Sequence, residues 1–186
     1  MNKKKQNNRL YTVVLSSVFT AIITVMTFSI KVPSHNGYIH LGDSVIYLAA
    51  CLLPTPYAVI CAGIGGMLAD SLGGFIIYII PTFIIKSLLA LVFNSKSDKI
   101  LNKRNIAALV PASIITIFGY YIAEAVIVCL SSSADTGSFF RHILSPVPWT
   151  AALYCIPGNI TQAVGSAIVF ILIAIALDKI RIKDKI

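Results

Sequence analysis

Charged side chains are scarce in this sequence. They make up 12% of its 186 residues, and only seven are Asp or Glu; an average soluble domain carries about 25%. Hydrophobic residues reach 57%. A soluble chain of this length cannot hide that much apolar surface, so the class is a polytopic membrane protein with an all-α fold and room for a single domain over residues 1–186. Cysteine pairs are also missing. Cys51, Cys61, Cys129 and Cys155 form no C-x-x-C, which argues against a zinc knuckle or a redox pair. Each lies in or beside an apolar run, as a small packing residue does. No G-x-x-x-x-G-K-[ST] loop occurs. Gly63, Gly65, Gly66, Gly73 and Gly74 lack the following lysine, so no ATP hydrolysis by this chain is expected. H-E-x-x-H is absent, and no serine has a histidine and an acid near it in sequence. His35, His40 and His142 all fall in expected outer loops, so no metal site and no cofactor is expected.

The basic residues are the most ordered feature. A net charge of +8 would suit nucleic acid, but the positions read as topology, and no nucleic-acid partner is expected. Lys3, Lys4, Lys5 and Arg9 precede the first apolar run; Lys96, Lys99, Lys103 and Arg104 form a second cluster; DKIRIKDKI, residues 178–186, forms a third. Hydropathy predicts six transmembrane helices at about 11–30, 43–53, 57–71, 75–93, 106–130 and 149–177. Six crossings put all three basic clusters on one side, with N and C termini cytoplasmic, and leave only Lys31 and Arg141 in the outer loops. The first run is long enough to span and is followed by no small-x-small cleavage site, so it reads as a retained helix rather than a secretory leader. Pro54 and Pro56 separate the second span from the third, and Asp43 or Ser44 is placed to cap the second. Ser16, Ser17, Thr20, Ala21 and Thr24 give the first span a small-residue side for close helix approach. Ala58, Ala62, Gly66 and Asp70 do the same for the third, with Asp70 near the outer surface.

Polar residues inside the spans locate a site. Lys86 lies mid-span in GFIIYIIPTFIIKSLLALVF, residues 74–93. A lysine there costs about 2.5–3.5 kcal/mol on insertion scales, so it faces a cavity or a partner. Thr82 shares its face, Tyr120 and Tyr121 stand one turn before Glu124, and Asn159 and Gln162 are three apart, with Thr161 between them. Each of the last three spans thus carries a small polar face, and convergence of these faces makes a pocket. A cation, carboxylates, amides, tyrosines and Trp149 suit a small planar heterocycle with hydroxyl groups. A permanently anionic ligand would want more than one cation. The alternative for Lys86 is an ion pair with Glu124 that neutralises two costly charges.

Five stretches in order, GYIHLGDSVIYLAACLLP (37–54), GIGGMLADSLGG (63–74), PTFIIK (81–86), GYYIAE (119–124) and IPGNITQAVG (156–165), give a resemblance over nearly the whole chain. The sequence resembles the substrate-binding S component of energy-coupling factor (ECF) vitamin transporters, riboflavin-type family, which includes proteins assigned to thiamine-precursor and pyridoxine uptake. The resemblance implies a multi-pass protein of a prokaryotic plasma membrane, in contact with lipid. It implies a vitamin bound from outside by helices four to six and the outer loops, and a transmembrane coupling protein and two ATPase subunits as partners. Substrate-binding residues are then Lys86, Thr82, Glu124, Tyr121, Asn159, Gln162, Asp70 and His40. The family's coupling contacts, alanines four apart on the first helix, match Ser17 and Ala21, with serine replacing the first alanine. Ligands of the hydroxymethylpyrimidine, pyridoxine, thiamine or riboflavin class follow. The competing classes are a stand-alone secondary transporter or channel for a small polar solute, which would need no ATPase, and a membrane enzyme using Lys86, Glu124 and Asp70 as acid–base groups. The chain lacks an evident inverted repeat, and no motif favours the enzyme.

Overall fold

The computed structural model describes residues 3–33, 38–132 and 136–185; His35 and Gly37 lie outside them. Helix α1 (Lys3–Ser29) leads into a short antiparallel ladder of β1 (Val32–Pro33) and β2 (Tyr38–Ile39), in which Val32 pairs with Ile39 and Pro33 with Tyr38. The rest is helical: α2 (Gly42–Leu52), α3 (Thr55–Gly73), a 3-10 turn at Ile76–Tyr78, α4 (Ile79–Leu91), α5 (Lys103–Ser132), α6 (Thr136–Ile143), α7 (Pro146–Ala152), a 3-10 turn at Leu153–Cys155, and α8 (Ile156–Lys179). The fold is all-α. Among the described residues four helical stretches are long and apolar enough to cross a membrane: Arg9–Ser29, Thr55–Gly73, Lys103–Ser132 and Pro146–Lys179. Gly42–Leu52 and Ile76–Leu91 are apolar but shorter.

Helix α2 is the hub. Its residues from Gly42 to Cys51 are all buried, and it packs against α1, α3, α4 and α8. A helix apolar on every side belongs inside a bundle, and GDSVIYLAACL has small residues where neighbours approach and Tyr47 where space remains. Tyr47 is stacked on Phe93 at 4.8 Å and meets Phe170 edge-on at 5.8 Å, which ties α2 to the end of α4 and to α8. The 11 residues of α2 extend only about 16 Å. Asp43 lies in its first turn but is not the N-cap; that position is Leu41, without a side-chain cap bond.

Prolines and glycines set the breaks. Pro54 holds extended backbone between α2 and α3, and Gly74 ends α3 in the left-handed conformation at φ 80°, which a side chain disfavours. The single span expected over 149–177 is interrupted at Leu153–Cys155, and Pro157, lacking an N–H, sits in the first turn of α8. The expected outer loop at 131–148 contains α6, and the expected span over 75–93 opens with a 3-10 turn. On α1, Ser16 and Thr24 face α3: the Cys61 thiol donates to the Ser16 carbonyl at 3.2 Å and the Thr24 hydroxyl to the Gly65 carbonyl at 3.1 Å. Ser17 and Ala21 are exposed. At the other end of the bundle, Asp178 accepts the Ile100 and Leu101 N–H groups, and Lys183 donates to the Ser95 and Ser97 carbonyls. These bonds tie the loop between α4 and α5 to the end of α8.

The small face of α3 meets α4. A Cβ on Gly66 would lie 2.8 Å from Lys86 Cγ and 2.9 Å from the Thr82 methyl. Gly66 therefore makes room for the lysine stem. Gly66→Val is expected to cost about 1–3 kcal/mol and to lower the thermal unfolding midpoint in detergent by about 2–12 °C. An unchanged midpoint would show that α3 and α4 do not approach this closely.

Candidate binding site

The site begins with a buried ion pair. Lys86 Nζ lies 2.6 Å from Asp43 Oδ1, and both side chains are fully buried. Lys86 is therefore not paired with Glu124, as the charge inventory suggested. Its partner is the carboxylate read as a helix cap. The first turn of α2 favours a negative charge through the helix dipole, and α3 leaves a groove at Gly66 for the lysine stem. The Tyr120 ring lies under the ammonium, 5.1 Å from Nζ to its centroid. The second Asp43 oxygen accepts from Gln162 Nε2 at 3.0 Å. Gln162 Oε1 in turn accepts the His40 backbone N–H at 3.4 Å, and His40 Nδ1 accepts the Gly42 N–H at 3.1 Å. One continuous network joins α4, α2, α8 and the end of the β-ladder.

That network forms the back of a cavity with about 610 Å³ of empty space, counted out to its open mouth. His40 and Gln162 are on its wall, with Thr82 and Tyr120 beside them; Thr82 Oγ1 and the Tyr120 hydroxyl are 3.2 Å apart. The lining also holds two carboxylates, each held by a tyrosine. The Tyr38 hydroxyl donates to Asp70 Oδ1 at 2.7 Å, and the Tyr78 hydroxyl donates to Glu124 Oε2. Tyr38 packs on Phe75 at 4.9 Å between ring centroids. Cys155, Gly158 and Asn159, from the interruption before α8 and its first turn, complete the lining. The 3-10 turns at Ile76–Tyr78 and Leu153–Cys155 bring Tyr78 and Cys155 to the cavity, so the breaks in the expected spans belong to the site.

His40 has a defined protonation state. The Gly42 N–H donates to Nδ1, so the ring proton is on Nε2. Burial, reinforced by the Lys86 ammonium, lowers its pKa to about 3. Tyr38 shifts upward through burial and the Asp70 carboxylate, so its phenol remains a donor.

Of the residues expected to bind substrate, Thr82, Glu124, Asn159, Gln162, Asp70 and His40 line the cavity together. Two do not. Lys86 stands behind the wall, and Tyr121 packs against Trp149 at 5.8 Å. Thr161 is exposed and bonds back to the Pro157 carbonyl. Asp70 is buried, at 6% exposure, near the end of α3. Sequence reasoning missed Asp43, Tyr38, Phe75 and Tyr78. The run GYIHLGD, which concentrates polar and aromatic residues before an apolar helix, was the available signal for Tyr38 and Asp43.

Two outcomes follow from this geometry. Lys86→Met strands the buried Asp43 carboxylate and is expected to cost about 3–5 kcal/mol, whereas Lys86→Met with Asp43→Asn recovers most of that loss. Thermal unfolding in detergent reads both; equal loss in the two variants would refute the pairing. The second outcome concerns pH. The unfolded chain protonates His40 near 6.5 and the folded one only near 3, so the unfolded state binds more protons between these values. Stability contributed by neutral His40 is complete above the higher value and declines as pH falls through the window. His40→Asn keeps an acceptor for Gly42 and is expected to flatten the loss of melting temperature between about pH 7 and 5. A parallel slope in this variant would assign the pH dependence elsewhere.

The family model described as ECF-type riboflavin transporter, S component, matches residues 7–179. A solved structure described as the S component of a bacterial ECF transporter shares the fold with a TM-score of 0.64 and 23% identity, covering 94% of this chain and 98% of that one. A comparison with curated proteins gives no significant match. With a family match across nearly its whole length and a cavity within the same helical fold, the chain belongs to the ECF-type riboflavin transporter S-component family, a family of membrane transport subunits.

Proposed function

We propose that the chain is the high-affinity vitamin- or vitamin-precursor-binding subunit of an ATP-driven ECF uptake transporter, and that the cavity holds the ligand. The observation that carries this reading is the cavity itself. It is a concave, aromatic-lined space with a few fixed polar groups, as small-molecule sites are, and it lies in a chain of this family. The ligand is of the hydroxymethylpyrimidine, pyridoxine, thiamine or riboflavin class. His40, Asp70, Thr82, Glu124, Asn159 and Gln162 are its contacts, and Lys86 acts from behind by fixing Asp43 and Gln162.

The reading has six crossings of a prokaryotic plasma membrane, with both termini cytoplasmic. Gly42–Leu52 and Ile76–Leu91 are its two short crossings. Charge supports the orientation. The basic clusters flank the start of α1, the junction of α4 with α5, and the end of α8. The cavity is built from the opposite ends: the β-ladder, the end of α3, the start of α4 and the start of α8. By the positive-inside rule the cavity then opens outward, toward an incoming vitamin.

Energy would come from partners, a transmembrane coupling protein and two ATPase subunits, because the sequence has no phosphate loop. Ser17 and Ala21 support a docking face. They lie with Val13, Thr20, Val25, Ile60 and Leu68 along a shallow, largely apolar groove between α1 and α3.

Purified protein is expected to retain a small molecule identifiable by mass spectrometry and to bind one of the four vitamin classes by calorimetry. Binding by none of them would remove the reading. In liposomes, uptake is expected only with the coupling protein, ATPases and ATP; gradient-driven uptake by the chain alone would support the secondary-transporter class instead. Ala21→Trp is expected to abolish ATP-driven uptake while leaving ligand affinity unchanged.

A further inference from the structure

A second cleft lies at the other end of the bundle, away from the β-ladder. It has about 890 Å³ of empty space, counted out to its open mouth. Tyr11 and Leu15 reach it from α1, and Leu52 and Leu53 from the end of α2. Its polar side comes from the loop after α4 and from the 3-10 turn Ile182–Asp184 beyond α8. The stretches long enough to cross a membrane begin or end at this end of the bundle, at Arg9, Thr55, Lys103 and Lys179. The cleft therefore lies at a membrane boundary whichever way the chain is inserted, among lipid head groups.

The polar wall is firmly built. Asn105 is fully buried. Its amide donates to the Asn94 and Ile100 carbonyls, each at 3.0 Å, and its oxygen accepts the Asn94 N–H at 2.9 Å. Asp178 holds the Ile100 and Leu101 N–H groups from α8. The loop that carries Lys96 and Asp98 is thus fixed at both ends. Lys183 is fixed from the tail: Nζ donates to the Ser97 carbonyl at 2.6 Å and to the Ser95 carbonyl at 3.0 Å. An ammonium has three N–H donors, so one is left over. No carboxylate among the described residues pairs with it. Burial pulls the Lys183 pKa below the usual lysine value, and Cys51, Asp178 and Asp98 offset only part of that. A held, half-buried cation that is short of negative charge is a seat for an anionic oxygen, and such charged bonds are the strong ones.

The remaining side chains say which anion. Lys96 adds a second cation, and Asp98 and Asp184 add two carboxylates, so the lining has two charges of each sign. A purely anionic group meets two like charges here. A head group with both a phosphate and a primary ammonium satisfies both signs, the phosphate on Lys183 and Lys96 and the ammonium on Asp98 and Asp184. Leu15, Leu52 and Leu53 give an acyl chain a surface to lie on. Tyr11, 47% exposed, is a ring suited to the membrane interface.

We propose that this cleft binds a zwitterionic phospholipid whose head group pairs a phosphate with a primary ammonium, as in phosphatidylethanolamine, with an acyl chain along α1 and the end of α2. The site is separate from the vitamin cavity and does not depend on what that cavity holds. Phosphatidylcholine has the same charges but no N–H to give Asp98 or Asp184. Phosphatidylglycerol leaves both carboxylates without a cation.

The test is native mass spectrometry of the full chain in detergent, titrated with the dioleoyl forms of phosphatidylethanolamine, phosphatidylcholine and phosphatidylglycerol. One phosphatidylethanolamine per chain is expected to be retained, roughly 10-fold more tightly than either of the others, the scale of a charged hydrogen bond. Lys96→Ala, which removes an exposed side chain, is expected to weaken retention roughly 10-fold. Asp98→Asn with Asp184→Asn is expected to abolish the preference over phosphatidylglycerol. Equal or tighter binding of phosphatidylglycerol by the unaltered protein would overturn the proposal. So would equal retention by Lys96→Ala, the mark of lipid that merely surrounds the bundle. Displacement of the lipid by equimolar glycerophosphoethanolamine, the head group without chains, would give the cleft to a soluble phosphate compound and overturn the lipid assignment. No retained lipid, with Lys96 shielded from an amine-reactive reagent in a complex with a coupling protein, would give the cleft to that protein instead. The ranking on the unaltered protein decides the matter even where a variant does not fold.

Discussion

The structure depends on one buried ion pair. Lys86 and Asp43 are wholly out of solvent, in surroundings where an isolated charge is costly and a paired one is tolerated only with its remaining bonds satisfied. Those bonds determine the architecture. Asp43 sits in the first turn of the short central helix α2, Lys86 reaches it from α4 past the bare backbone of Gly66 on α3, and Gln162 reaches it from α8. Four helices are thus fixed at one point. Apolar packing alone would leave their rotation weakly specified, since lipid tails compete with side chains for the same contacts. A charged pair with a single satisfactory geometry defines the register.

The same network sets the character of the cavity. Gln162 would otherwise be a versatile donor and acceptor in the wall, but Asp43 takes its amide N–H and the His40 backbone takes its oxygen. His40 is held by Gly42, the residue beside Asp43. The inner wall is therefore rigid and close to neutral, because its positive and negative charges cancel behind it. The two carboxylates are held differently. Tyr38 comes from the β-ladder and Tyr78 from a 3-10 turn, and each reaches a carboxylate on a long helix, α3 or α5. The cavity is thus lined both by the packed helices and by short connecting segments. A ligand that competed for Asp70 or Glu124 would act on the bonds these connections make through Tyr38 and Tyr78.

Much of this was legible in the sequence, and the failures share one cause. The low charge content, the apolar runs and the basic clusters led to an all-α membrane class, and Lys86 was recognisable as a residue that needs a reason. Six of the eight residues nominated for substrate line one cavity; helical spacing put Thr82, Glu124, Asn159 and Gln162 on polar faces, and the family resemblance supplied the set as a whole. The lysine's partner was not legible. Asp43 stands at the start of an apolar helix, where a carboxylate has a sufficient local explanation as a cap, and Glu124 stands in mid-span, where it has none. Local reasoning assigned the partner to the residue without an explanation. The bundle did the reverse, because α2 is short and central, so its first turn lies at the depth of Lys86. The tyrosines were missed for a related reason: connecting segments carry no periodicity, and nothing local shows that Tyr38 or Tyr78 will meet an acid.

The ion pair also limits what transport can ask of this subunit. A mechanism that opened the bundle between α2 and α4 would separate Lys86 from Asp43 and expose each to an apolar surrounding, at a cost of about 3–5 kcal/mol before any packing is lost. Gln162 would lose its partner in the same step. A path from the cavity to the other end of the bundle through this centre would have to break this buried pair, and Tyr47, stacked on Phe93 with Phe170 edge-on to both, lies within the core. The cheaper movements are at the mouth, in the β-ladder and the two 3-10 turns. A protein built this way can admit and hold a ligand from one side, but conduction through its interior would dismantle the contact that gives it its shape. Binding and release at a single mouth would suit the capture role proposed for this chain.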